Sequence, residues 1–336
     1  MITRDTVLVL SQDYELFFHR SGTIDKCLFE PCAALLESAG RHGYRITFYV
    51  DAGMLVRMQA LAPTHPRLGT EADRIRKHLE QIARAGHEVG LHVHPHWEDT
   101  RWADGEWQFA GTRYSLREFA DDEVADIVAR YARVLADACG EPPVSYRAGG
   151  FCVEPWERLG PALLACGIDV DSSVVPGAFL DDPVKGFDFR AAPRDACWRF
   201  GASPCVPEAD GRFLEIPVTP QRLPFGYYWG RLAEKVTGRR RGRPFGDGTG
   251  KPVGRAEVLR RLAGASREAE LSIDEPKVLT LPRLAATGPA VPLWHVMGHP
   301  KNLSRRSLEM FENTLRARGI ERFETVAEAA GRLRAS

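Results

Sequence analysis

The sequence predicts an α/β protein built on a parallel sheet, and three observations predict it. An amphipathic helix ending near glycine, then a short β-type run, then polar or glycine-rich residues, recurs four times along the chain. A composition of 44% hydrophobic and 27% charged residues supplies a sizeable core in ordinary globular proportion. Strands separated by helices imply parallel pairing, and such a sheet with right-handed crossovers forms a barrel or an open doubly wound sheet.

The elements follow in order. VLVLS (7–11) reads as the first strand and is followed at once by Asp13, Tyr14 and Glu15. Cys27 to Gly43 is helical in pattern and leads into YRITFYVDAG; Glu71 to Gly86 leads into HEVGLHVHPHW. Ser115 to Gly140 leads into VSYRAGGF, with Ser115 and Glu118 as a capping box and Val124, Ile127, Val128, Tyr131, Val134 and Leu135 at helical spacing. Glu154 to Gly167 leads into IDVDSSVVPG, and each terminal glycine suits a helix C-terminus.

The second half is less regular. Residues 193–212 are rich in turn formers and precede FLEIPVTP, a strand; VPLWHVMG reads as a buried strand ending at Gly298 and His299. Leu303 to Arg318 and Thr325 to Leu333 read as closing helices, and no domain boundary appears, so residues 1–336 are read as one domain with insertions. Within it, residues 236–254 form a basic, glycine-rich loop carrying Arg239, Arg240, Arg241 and Arg243. The loop reads as solvated; the sharper alternative is a lid that meets a phosphate.

Charge and composition exclude some classes. Lysine plus arginine and aspartate plus glutamate both number 45, so no global field draws the chain to nucleic acid or an anionic membrane. No stretch reaches the length of a membrane span, and Val7 to Leu10 is too short for a signal-peptide core, which places the expected location in the cytoplasm. Seven scattered cysteines without a CxxC pair do not describe a disulfide scaffold or a cysteine zinc site. Oligomeric state is not encoded in any pattern.

In parallel sheets function gathers at the C-terminal ends of the strands, so Asp13 and Glu15, the HVHPH run and Arg147 to Gly150 are expected to converge. Alternation along a strand puts Asp13 and Glu15 on one side and Tyr14 on the other. Neutral imidazoles of His92 and His96 supply nitrogens to a Zn, Co, Ni or Mn ion, a carboxylate supplies oxygen, and water completes an open site. An extended chain would put His94 on the same face, but Pro95 bends the backbone, so His94 is expected to support the ligands rather than bind. His299, at a strand's C-terminal end, is favoured over His295 as a proton donor. His87 is read as structural, and Trp97, Trp102 and Trp107 as either packing residues or faces for a sugar.

GHEVGLHVHPHW resembles the second motif of the polysaccharide deacetylases, the NodB-homology group; DYE resembles their first motif and YRAGGF their third. The subgroup it is most similar to has a D-x-E first motif and a closing GHPK segment, here Gly298 to Lys301. The resemblance implies a distorted (β/α) barrel, with insertions in its second half, that removes an acetyl group from a sugar using one divalent metal. Carried over by position, Glu15, His92 and His96 bind the metal, Asp13 is the general base, Arg147 orients it, and His299 is the general acid. The family's two adjacent aspartates are here one residue apart, the second being glutamate, so Asp13 and Glu15 are open to exchanging roles. The expected protein is a zinc-type carbohydrate deacetylase acting on an N-acetylated saccharide or glycoconjugate precursor. Its alternatives are a hydrolase of small amides and an inactive carbohydrate-binding homologue.

Overall fold

A computed structural model describes residues 5–110, 113–224, 226–238, 242–250, 258–259, 262–263, 268–287 and 292–335. Nine strands form the main sheet: β1 (Val7–Tyr14), β2 (Ile46–Asp51), β3 (Glu88–Val93), β4 (Ser145–Ala148), β5 (Val170–Asp171), β6 (Trp198–Phe200), β7 (Phe213–Glu215), β8 (Leu293–Val296) and β9 (Arg322–Glu324). Their order is β6-β7-β5-β4-β3-β2-β1-β8, with β9 also paired to β1. Every pair is parallel except β6 with β7. Irregular chain carries the sheet onward to β8. Ile216 donates to the Asp171 carbonyl, Thr219 to that of His295 and Leu271 to that of Thr219, and Met297 donates back to Leu271. The result is the distorted (β/α) barrel expected.

Alternation along β1 explains which face holds the site. Leu8 and Leu10 pack outward with the helices α1 (Glu30–His42), α2 (Ala52–Leu61), α3 (Pro66–Arg84), α4 (Asp121–Cys139) and α5 (Trp156–Ala165). Val9 points inward, joining Tyr49, Val170, Leu214, Ile216 and Leu293, and the closing helix Val326–Ala335 plugs that end with Val326, Ala329 and Ala330. Ser11 and Asp13 share the parity of Val9, whereas Tyr14 faces out and its hydroxyl lies 3.0 Å from His78 Nδ1 of α3.

Some elements differ from expectation. The Ser115–Glu118 capping box exists, but it closes a short 3-10 turn, Leu116–Glu118. Helix α4 begins at Asp121, where Glu123 accepts the Ala120 N–H at 2.8 Å. Helix α2 went unforeseen because its sequence, AGMLVRMQAL, is apolar on most of its surface and Met54, Leu55 and Met58 are all buried. Of the basic loop, Arg239, Arg240 and Arg241 lie outside the described residues. Residues 243–249 run as an anchored strap, with Gly246 donating to the Lys301 carbonyl at 3.1 Å and Thr249 to that of Arg20 at 2.9 Å. Among the described residues no helix is long and apolar enough to cross a membrane.

Candidate metal centre and active site

Adjacent strands deliver the site. His92 lies in register with Asp51 on one side and Arg147 on the other, and Asp13 is the penultimate residue of β1, the strand beyond β2. All are buried. Asp13 and Glu15 are separated by the single residue Tyr14 and held by different cations. Arg147 Nη1 donates to Asp13 Oδ1 at 2.7 Å, and Lys301 Nζ donates to Glu15 Oε1 at 2.9 Å and to the Leu16 carbonyl at 2.6 Å. Burial pushes the Glu15 carboxyl up, but Lys301 and the histidines outweigh it and hold it well below its ordinary range.

The second oxygen of Glu15 turns toward two imidazoles. Glu15 Oε2 lies 2.8 Å from His94 Nε2 and 3.5 Å from His92 Nε2. His92 Nδ1 is 2.9 Å from the Arg147 carbonyl, so it carries the proton and leaves Nε2 with a lone pair facing Glu15. Glu15, His92 and His94 form a set whose ligand atoms all lie within 4.8 Å of one another. The donor set fits a divalent ion. Glu15 Oε2 is buried, has no assigned hydrogen-bond partner and lies against both imidazole Nε2 atoms, so a carboxylate oxygen and two ring nitrogens stand close enough to share one ion.

His96, expected as a ligand, lies outside this set. The chain leaves extended geometry after His94, and Pro95 opens the 3-10 turn Pro95–Asp99, which directs His96 among Phe18, Trp97, Phe109 and Tyr114. Neither ring nitrogen of His96 has a partner, and burial, followed by His94, holds it well below the ordinary histidine value. His94 keeps the β-region backbone of the strand and so remains beside His92, their ring centroids 4.7 Å apart. Gly149 permits this: a Cβ there would stand 2.5 Å from the Val93 carbonyl oxygen and 2.6 Å from His94 Nδ1. Gly149→Ala is therefore expected to displace His94 at a cost of about 1–3 kcal/mol, weakening metal affinity by one to two powers of ten. Isothermal titration with metal checks it, and unchanged affinity would show that His94 placement does not matter.

His299 stands across the site. Its Nε2 is 3.7 Å from Asp13 Oδ2 and 3.6 Å from Glu15 Oε1, while Nδ1 is 2.7 Å from Asp274 Oδ2. Burial opposes the charged ring, but Asp274, then Asp13 and Glu15, raise it from 6.5 to about 9. His295, the competing proton donor, is sealed in the barrel, where burial and then Arg147 hold it well below its ordinary value.

Other expectations resolve simply. His87 Nδ1 accepts the Ile46 N–H at 3.1 Å, a structural role. Trp97 is fully buried with Nε1 donating to Asp51 Oδ2 at 2.6 Å, and Trp107 is buried too; Trp102 alone of the three is partly exposed. Ser172 binds Arg147, and Ser173 Oγ accepts the Ala148 N–H at 2.8 Å. Sequence reading missed Asp274 altogether; the only signal was an acidic residue in SIDEP, far from any motif. Lys301 was visible only as the end of GHPK.

Fold and site define a class: a parallel-stranded α/β barrel with a buried carboxylate–histidine cluster at the C-terminal ends of its strands. No protein-family model matches the sequence, and no curated protein matches it. Among solved structures the chain is similar to a putative polysaccharide deacetylase from Mycobacterium smegmatis, at 15% identity over 97% of this chain and 91% of that one, with a TM-score of 0.45. It is also similar to the Bc1960 peptidoglycan N-acetylglucosamine deacetylase (11% identity, 96% and 88% covered, TM-score 0.40). A third is a family 4 carbohydrate esterase from Streptomyces lividans in complex with acetate (11% identity, 94% and 90% covered, TM-score 0.36).

Proposed function

We propose that the protein is a metal-dependent carbohydrate deacetylase that hydrolyses the acetamido group of an N-acetylated saccharide or glycoconjugate precursor. The observation that carries this reading is the division of labour between two carboxylates on one strand end. Glu15, neutralised by Lys301, joins His92 and His94; Asp13, held by Arg147, keeps its Oδ2 toward His92 and His299.

Glu15, His92 and His94 would hold the ion, and when bound a divalent metal supplies Lewis-acid stabilisation where charge develops on the acyl oxygen. A Glu-His-His set suits zinc, with cobalt, nickel or manganese as the other candidates. Asp13 Oδ2 takes the proton of the attacking water, while Arg147 fixes the other oxygen by a charge-assisted hydrogen bond. His299, protonated at neutral pH, gives its Nε2 proton to the departing nitrogen, so that the C–N bond breaks to free amine and acetate. Asp274 anchors Nδ1 and maintains that proton. Seven unpaired cysteines favour a reducing compartment, in keeping with a cytoplasmic location.

The test is a release assay on metal-loaded protein. Acetate from N-acetylated oligosaccharides supports the proposal; ammonia or formate from small amides in its place transfers the same machinery to another amide. Binding of saccharide without hydrolysis by any metal-loaded preparation overturns an enzymatic role.

Asp274→Asn tests the proton donor. The wild-type alkaline limb of kcat/KM is expected near pH 9, and the variant's limb is expected to move to lower pH because the largest stabiliser of the imidazolium is gone. The sign for stability agrees. A folded value raised above 6.5 contributes stability that is complete below 6.5 and lost as pH rises through about 9. An unmoved limb would remove His299 from the acid role.

A further inference from the structure

His295 lies in the middle of β8, fully buried, at the point where the barrel floor meets Arg147. Its Nε2 is 2.8 Å from Ser11 Oγ and 3.2 Å from Arg147 Nη2; its Nδ1 is 3.3 Å from the Ile216 carbonyl oxygen. The guanidinium is pinned on every side. Nε donates to the Ser172 carbonyl at 2.9 Å, Nη1 to Asp13 at 2.7 Å, and Nη2 to Ser172 Oγ at 3.0 Å, with the Tyr49 ring 4.2 Å beneath the plane.

Arginine only donates, which fixes the protons of this network. His295 Nε2 must accept from Arg147 Nη2, so the ring proton resides on Nδ1 and points to the Ile216 carbonyl. Ser172 Oγ donates to the same carbonyl at 2.9 Å, leaving its lone pairs for Arg147. His295 is thus the acceptor that holds one arm of Arg147, and the other arm holds Asp13. An imidazolium would place an N–H against the guanidinium, an arrangement disfavoured by both geometry and charge.

We infer that His295 is a positioning residue for the general base: its unprotonated Nε2 sets the rotation of the Arg147 guanidinium and thereby the orientation of the Asp13 carboxylate. The inference rests on the proposed hydrolase reading, in which Asp13 takes the proton from water. It assigns His295 a role distinct from proton donation, which falls to His299.

Two replacements separate acceptor from bulk. The glutamine side chain places an oxygen near the position of Nε2, whereas leucine fills the space and offers no acceptor. His295→Leu is expected to lower kcat by about 10²-fold with KM and metal content unchanged, because a misaligned base affects the chemical step. His295→Gln is expected to stay within about five-fold of wild type. In an Asp13→Asn background His295→Leu should have almost no further effect, since both act through one group. Should the leucine variant not fold, His295→Asn replaces it, because asparagine is polar but too short to reach Arg147. A ring ¹⁵N spectrum of metal-free protein reads the tautomer without any activity and should show an Nδ1–H, Nε2-acceptor imidazole.

Equal loss in the leucine and glutamine variants, retained kcat in the leucine variant, or an Nε2–H tautomer overturns the inference. Failure of the wild type to hydrolyse any amide or ester overturns the hydrolase reading instead, so the two failures are distinguishable.

Discussion

His92→Ala is expected to strip the metal and lower acetate release by at least about 10³-fold. His92 unites the two halves of the site. Its Nε2 faces Glu15 and Asp13, and its Nδ1 binds the Arg147 carbonyl, so one ring links the metal set to the strand that carries the arginine. Metal content by plasma emission spectroscopy, with kinetics on the same sample, checks the result. A variant that keeps stoichiometric metal would place the ion elsewhere.

Asp13→Asn is expected to behave differently. Metal content should hold, because Glu15 is the carboxylate in the cluster, while kcat falls by about 10²–10⁴ because the proposed general base is gone. KM should change little, since the loss falls on the transition state. The neutral amide also leaves the buried Arg147 charge without its counter-ion, so a stability loss of about 3–5 kcal/mol is expected. Chemical denaturation measures that term separately from activity. If Glu15→Gln proves the kcat variant and Asp13→Asn the metal-free one, the two carboxylates have exchanged roles.

The chain's periodicities made the barrel legible because α1, α3, α4 and α5 each end near a glycine and are followed by a strand within a few residues. Gly43 and Gly140 adopt the left-handed conformation at helix ends, as their positions implied. Convergence at strand C-termini was legible too, because a parallel sheet admits no other arrangement for Asp13, His92 and Arg147. Contacts set by loops were not. Lys301 meets Glu15 across 286 positions and Asp274 meets His299 from a segment with no periodic pattern. Whether His94 or His96 faces Glu15 depends on how far the strand extends before Pro95 turns the chain, a matter of one peptide unit that sequence alone does not resolve. The helix Ala52–Leu61 escaped notice for the opposite reason: its burial erases the amphipathic contrast on which helix reading depends.

The central claim is that Glu15, His92 and His94 make the metal centre. Calorimetric titration of zinc into the metal-free wild type and the single variants His92→Ala, His94→Ala and His96→Ala tests it directly. The account predicts that the first two variants lose at least about 10²-fold in affinity while His96→Ala stays within a few-fold of wild type. Loss of affinity in His96→Ala with retention in His94→Ala would contradict it and return the site to the i, i+4 histidine pair.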